Sequence, residues 1–147
     1  SIHMGTPLAQ NWMDFLIGRN HFSLEAYINT REKYIGVGLA LSGPKAKPYY
    51  YLLEREKTVI ESELETTLDW AVHPCKVMSY IYLYGHNMNP LVREQWPEQH
   101  LWFCKQLEAF KKVFAPRIKM LNASDYIVDE QIVSHPIDTD PAGIEGL

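Results

Sequence analysis

Apolar and polar positions alternate along two stretches in the first third of the chain. Phe22, Leu24, Ala26 and Ile28 interleave with Ser23, Glu25, Tyr27 and Asn29, the period-2 pattern of a strand with one buried face. After the polar run Asn29 to Lys33, Ile35, Val37, Leu39 and Leu41 interleave with Gly36, Gly38 and Ala40. Tyr34 to Ser42 therefore reads as the return strand of a hairpin. Glycine weakens a strand interior, so this pair predicts the close approach of another backbone, a ligand or a large aromatic ring. Upstream, Trp12, Met13, Phe15 and Leu16 suggest a short helix or an apolar anchor before Gly18.

The segment Ser42 to Pro48 punctuates the chain, and the period then changes. Tyr49, Leu52, Leu53, Val59, Ile60 and Leu64 recur near 3.6, with Glu54, Arg55, Lys57, Glu61 and Glu65 on the wet side. That pattern predicts one helix to about Thr66. Leu68, Trp70 and Val72 predict a third strand, and Val77 to Gly85 a fourth. In the fourth, Ile81 and Leu83 point one way while Tyr80, Tyr82 and Tyr84 point the other. A last helix begins at Pro97, placed at N1, with Glu98 in its first turn. Its stripe is Phe103, Leu107, Phe110 and Phe114, and Pro116 should end or kink it. The order ββαββα predicts an α+β fold: a two-layer sandwich of an antiparallel sheet with the helices packed on one face. The open face would carry Tyr27, Gly36, Gly38, Ala40, Tyr80, Tyr82 and Tyr84, and such a tyrosine stripe is expected to cover something.

Composition narrows the setting. With 147 residues, 46% hydrophobic and 22% charged, the chain has the makings of one globular domain with a real core. That domain is expected over 8–121. Ser1 to Pro7 reads as a cloning remnant and is set aside. No apolar run approaches the roughly 20 residues of a membrane span. Two cysteines cannot build a disulfide framework, and no signal-peptide pattern is visible, so a cytoplasmic setting is expected.

Charge is unevenly placed. All 14 Lys and Arg precede Asn122, while six of the 18 acids follow it, leaving the body an excess of two positive charges. That is not the footprint of an autonomous DNA binder. The stretch 122–147, acidic and holding Pro and Gly, reads as a solvated tail or as a segment folding back over a basic patch.

The segments N-W-M-D-F-L-I-G-R (11–19), I-N-T-R-E-K-Y-I-G-V (28–37), Y-L-L-E (51–54), I-Y-L-Y (81–84), W-P-E-Q-H-L-W (96–102) and F-K-K-V-F-A-P-R-I (110–118) resemble, in this order, the prokaryotic family known as domain of unknown function 4268. The resemblance covers about three quarters of the chain. Members of that family often sit behind restriction-endonuclease-like nuclease domains, so it implies an accessory role in a DNA-directed or defence-type protein. It supplies no catalytic residues. Where the family tends to carry basic residues, near 76–85, this chain has Tyr80, Tyr82 and Gly85, which weakens any carry-over of phosphate binding.

Catalytic chemistry finds little support in the residues. Restriction-type metal sites need an acid two residues before a lysine, and no Asp/Glu-x-Lys occurs in the chain. His73, Cys75, His100 and Cys104 could form a Cys₂His₂ set, but His-x-Cys is poor zinc spacing, and Cys104 beside the apolar stripe is expected to be a buried small residue. Gly36-Val-Gly38 sits inside a strand, the wrong context for a phosphate loop. No enzyme activity, metal or cofactor is therefore expected.

What remains is a binding or assembly domain. Tyr27, Tyr80, Tyr82 and Tyr84, helped by Arg19, are the expected contact surface, since tyrosine is enriched in protein interfaces. The expected partner is a second copy or a neighbouring domain of a longer protein. The alternative is direct nucleic-acid binding, with the tyrosines stacking on bases and Lys111, Lys112 and Arg117 on phosphates. An uncharacterised enzyme is the third reading.

Overall fold

The structure is a computed structural model that describes residues 10–72 and 77–126, with side chains from Met13 onward. The expected cloning remnant, His73, Cys75 and most of the acidic tail lie outside the described residues. In chain order come β1 (Gln10–Leu16), β2 (Phe22–Asn29), β3 (Tyr34–Leu41), α1 (Ala46–Glu54), α2 (Lys57–Leu64), β4 (Asp69–Val72), β5 (Ser79–Gly85) and α3 (Trp96–Met120). A single 3₁₀ turn, Arg93–Gln95, leads into α3.

The strands form one sheet in the order β1-β2-β3-β5-β4, each neighbour antiparallel. β2 and β3 are the hairpin that the alternation predicts. Its turn is held by Asn29, whose Oδ1 accepts the Glu32 N–H at 2.8 Å. The apolar positions of β2, β3 and β5 enter one core with Tyr50 and Leu53 of α1, Ile60 of α2, and Phe103, Phe110 and Phe114 of α3. Ile35, Val37, Leu39 and Ile81 are fully buried in it.

Three expectations change. The leading apolar segment is an edge strand, not a helix: Met13 and Phe15 pack on the core while Asp14 between them is exposed, a period of 2 that four apolar residues in five did not reveal. The single helix expected to about Thr66 is two, because the chain tightens at Arg55 and Glu56, where the Glu56 N–H bonds the Leu53 carbonyl at 2.9 Å. The order is thus βββααββα. Finally, Pro116, expected to end or kink α3, does not end it: the helix runs on to Met120. Proline there leaves the Lys112 carbonyl without its helical donor, but Phe114 and Ile118 on either side are buried at 0% and 1% exposure, and their packing carries the helix onward. The packed body also continues beyond Leu121. Ala123 is buried, and Tyr126 stacks on Tyr51 with ring centroids 5.2 Å apart.

Candidate contact site on the tyrosine face

The face of the sheet turned away from the core is built by cross-strand register. Tyr27 of β2 lies opposite Gly36 of β3, and Gly36 and Gly38 lie opposite Tyr84 and Tyr82 of β5. The glycines make room for these rings. A Cβ on Gly36 would come within 2.6 Å of the Tyr27 ring, and one on Gly38 within 2.7 Å of Tyr82. Of the three approaches the sequence allows, it is the large aromatic that the structure contains.

Tyr27 sinks into this space and is 8% exposed. Tyr34, Tyr82 and Tyr84 surround it edge-on, at centroid distances of 6.1, 5.4 and 6.3 Å. Tyr80 and Tyr82 stack nearly parallel at 5.1 Å. Such edge-to-face and offset pairs each contribute about 1 kcal/mol beyond area burial, so the cluster is an organised surface. Tyr27 is therefore its floor; Tyr34, Tyr80, Tyr82 and Tyr84, all partly exposed, are its accessible part.

Beside the rings lie carboxylates. Asp14 of β1 is directly opposite Glu25 of β2, and together with Tyr27, Tyr34, Met78, Tyr80, Tyr82 and Tyr84 they line a pocket of about 450 Å³. That lining contains no Lys, Arg or His. Asp69 of β4, opposite Tyr82, puts a third acid on the same face. Lys33 and His86 line an adjoining depression of about 780 Å³ that shares Tyr34 and Tyr84 with this pocket.

The electrostatics follow from this crowding. Burial, the facing Asp14 charge and a hydrogen bond shared with Asp14 push the Glu25 carboxyl from 4.5 up to about 7. Burial, then the neighbouring phenols, hold Tyr27 far above the usual phenol range. Burial and the Glu25 charge raise Tyr82 and Tyr80 likewise. Tyr27 carries one further anomaly: its buried hydroxyl has no hydrogen-bond partner. The Tyr84 phenol is its polar neighbour and couples to it electrostatically and as a weak hydrogen-bonding group.

The basic residues expected to assist lie elsewhere. Arg19 donates from Nη1 to the Ile118 and Leu121 carbonyls at 2.7 and 2.9 Å, and from Nη2 to the Tyr49 hydroxyl at 2.8 Å. Its guanidinium also lies over the Phe22 and Tyr49 rings. It closes the C-terminus of α3 on the helical side and does not join the tyrosines. Arg117 is engaged with Glu56 at 2.9 Å and Glu63 at 3.0 Å, tying α2 to α3. Lys111 and Lys112 are exposed on α3, across the sheet from the tyrosines. The structure thus brings the four named tyrosines together and leaves all four named cations on the other side.

Asp14, Glu25 and Tyr34 were missed as site residues. The alternation of β2 already placed Glu25 beside Tyr27; Asp14 was hidden by the helical reading of β1. Cys104 is exposed rather than buried, because it sits about 100° around α3 from Phe103. Among the described residues no group of three or more His, Cys, Asp or Glu could hold a metal ion, and no helix is long and apolar enough to cross a membrane.

No curated protein and no solved structure matches the chain. The family profile described as domain of unknown function DUF4268 matches residues 1–118, the stretch that contains the whole sheet and nearly all of α3. The chain belongs to the DUF4268 family.

Proposed function

We propose that this is a non-catalytic binding and assembly domain of two layers, helices on one face of the sheet, whose contact surface is the tyrosine face left open on the other. One observation carries the reading. Three partly exposed tyrosines, Tyr34, Tyr82 and Tyr84, are pre-packed around the buried Tyr27, and a fourth, Tyr80, stacks on Tyr82, with glycines placed to admit the rings. Rigid aromatic side chains lose little entropy on contact and dominate interface energetics. The partner is a second copy or a neighbouring domain of a longer, DNA-associated or defence-type cytoplasmic protein. Direct nucleic-acid binding by this face is less favoured, because its charges are carboxylates and the free lysines of α3 lie across the sheet.

Light scattering at about 0.05 and 0.5 M salt tests the assembly reading. A dimer that persists at both salts and is lost in Tyr80→Ser, with the fold retained by circular dichroism, supports a homodimer through this face. A dimer unaffected by Tyr80→Ser sinks that assignment. A clean monomer removes the second copy and leaves the neighbouring domain, to be tested as a fused pair.

A further inference from the structure

The pocket on the tyrosine face has a chemical bias beyond being a contact surface. Its walls are tyrosine rings, some steeply inclined (Tyr27 and Tyr34 at 90°, Tyr34 and Tyr84 at 85°) and one pair, Tyr80 and Tyr82, nearly parallel at 11°. Its rim holds the facing carboxyl groups of Asp14 and Glu25. Its floor is Tyr27, whose hydroxyl is sealed beneath the surrounding rings. Ring faces and carboxylates both attract cations. No basic side chain of the lining competes for the place.

We propose that this pocket receives the cationic head of an arginine or lysine side chain on a partner protein. The proposal rests on the tyrosine face being a contact surface and names what that surface selects. The tyrosine rings flank the cation's stem and head, and Asp14 and Glu25 neutralise its charge. Glu25 makes the site pH-sensitive. Its carboxyl titrates at about 7 in the presence of Asp14, Tyr80 and Tyr82, the charged and titratable groups that face it. A cation prefers the ionised form, so affinity should rise with pH through about 7 and then level off.

The test uses the full chain with ¹³C-labelled tyrosine rings, assigned through Tyr→Phe variants. The probes are the blocked tripeptides Ac-Gly-Arg-Gly-amide and Ac-Gly-Lys-Gly-amide, their neutral norleucine counterpart, and a short oligothymidine. The expected result is saturable shifts of the Tyr80, Tyr82 and Tyr84 signals with the basic peptides only. Glu25→Gln, which keeps the side-chain shape, should weaken binding about fivefold at pH 8 and abolish its pH dependence. Norleucine binding as tightly as arginine would overturn the cation assignment while leaving the face a contact surface. Oligothymidine shifting these signals would overturn it in favour of nucleic acid. Silence with every probe would overturn it too, and the solution-mass experiment would then judge the contact surface separately.

Discussion

At the scale of single residues, the tyrosine face holds groups whose burial costs stability. Glu25 is the clearest. Its carboxyl titrates at about 7 in the folded chain against 4.5 for a free carboxyl, so the folded state keeps a proton that the unfolded state has lost between those values. The stability this gives is fully present below about 4.5 and is lost as pH rises through about 7. The carboxyl is only half-buried, and after allowance for solvent screening the loss is of the order of 1 kcal/mol. Glu25→Gln should therefore match the parent in urea melts at pH 4 and exceed it at pH 8; an equal gain at both pH values would refute the account. Tyr27→Phe removes the unpartnered hydroxyl while keeping the ring over Gly36. It should leave stability unchanged or raise it by about 1 kcal/mol in urea melts; a loss of that size would show that the Tyr84 phenol partners the hydroxyl. Gly38→Ala has the opposite character. The new methyl would press on the Tyr82 ring and approach the Ile81 carbonyl at 3.0 Å. A loss of about 1–3 kcal/mol is expected from such overpacking, with a changed near-ultraviolet tyrosine signal.

At the scale of elements, two arginines do work that their positions in the sequence concealed. The last carbonyls of α3 lack helical donors, and Arg19, about a hundred residues earlier in the chain, supplies two of the missing bonds from the loop after β1. Arg19→Lys keeps the charge but not the fork that reaches two carbonyls and the Tyr49 hydroxyl together. It should cost about 1–2 kcal/mol in chemical denaturation, and Arg19→Ala more. If Lys proved equal to Arg, charge alone would be closing the helix. The same elements show where sequence reading succeeds. β2 and β5 were legible because alternate positions are buried, which writes a period of 2, and β3, buried on both faces, because glycine and alanine alternate with its large apolar residues. The face of Tyr27, Tyr80, Tyr82 and Tyr84 follows from that period, and the glycines opposite them announce the close approach. β1 was illegible because Trp12, Met13, Phe15 and Leu16 show no clean alternation. Without β1, the Asp14–Glu25 contact could not be foreseen. Nothing local marks Arg19 and Arg117 as structural, since the groups they bridge lie 30 to 102 residues away.

At the scale of the whole molecule, the sheet separates two kinds of surface. Asp14, Glu25 and Asp69 lie with the tyrosines on one side, and Lys105, Lys111, Lys112 and Lys119 are exposed along α3 on the other. The helical side thus carries a lysine stripe interspersed with acids such as Glu98 and Glu108, while the charges that line the tyrosine pocket are carboxylates alone. Polyanions and basic side chains should be drawn to different sides of the same domain. Weak binding of a DNA duplex at about 0.02 M salt is expected to occur through α3 and to fall steeply as salt rises. The double variant Lys111→Glu, Lys112→Glu should lower that affinity roughly tenfold, since it reverses two contacts at once. Tyr80→Ser should leave it within about twofold, because stacking on the sheet would otherwise contribute on the order of 1–3 kcal/mol per base. Fluorescence anisotropy with a labelled duplex measures both. If Tyr80→Ser were the variant that lost binding, DNA would lie on the acidic face against its own field, and ring stacking would have to outweigh the repulsion of three carboxylates. The lysine pair losing binding alone would leave the tyrosine face free for a partner of the opposite charge, so that one domain could hold a basic protein segment and rest on nucleic acid at the same time.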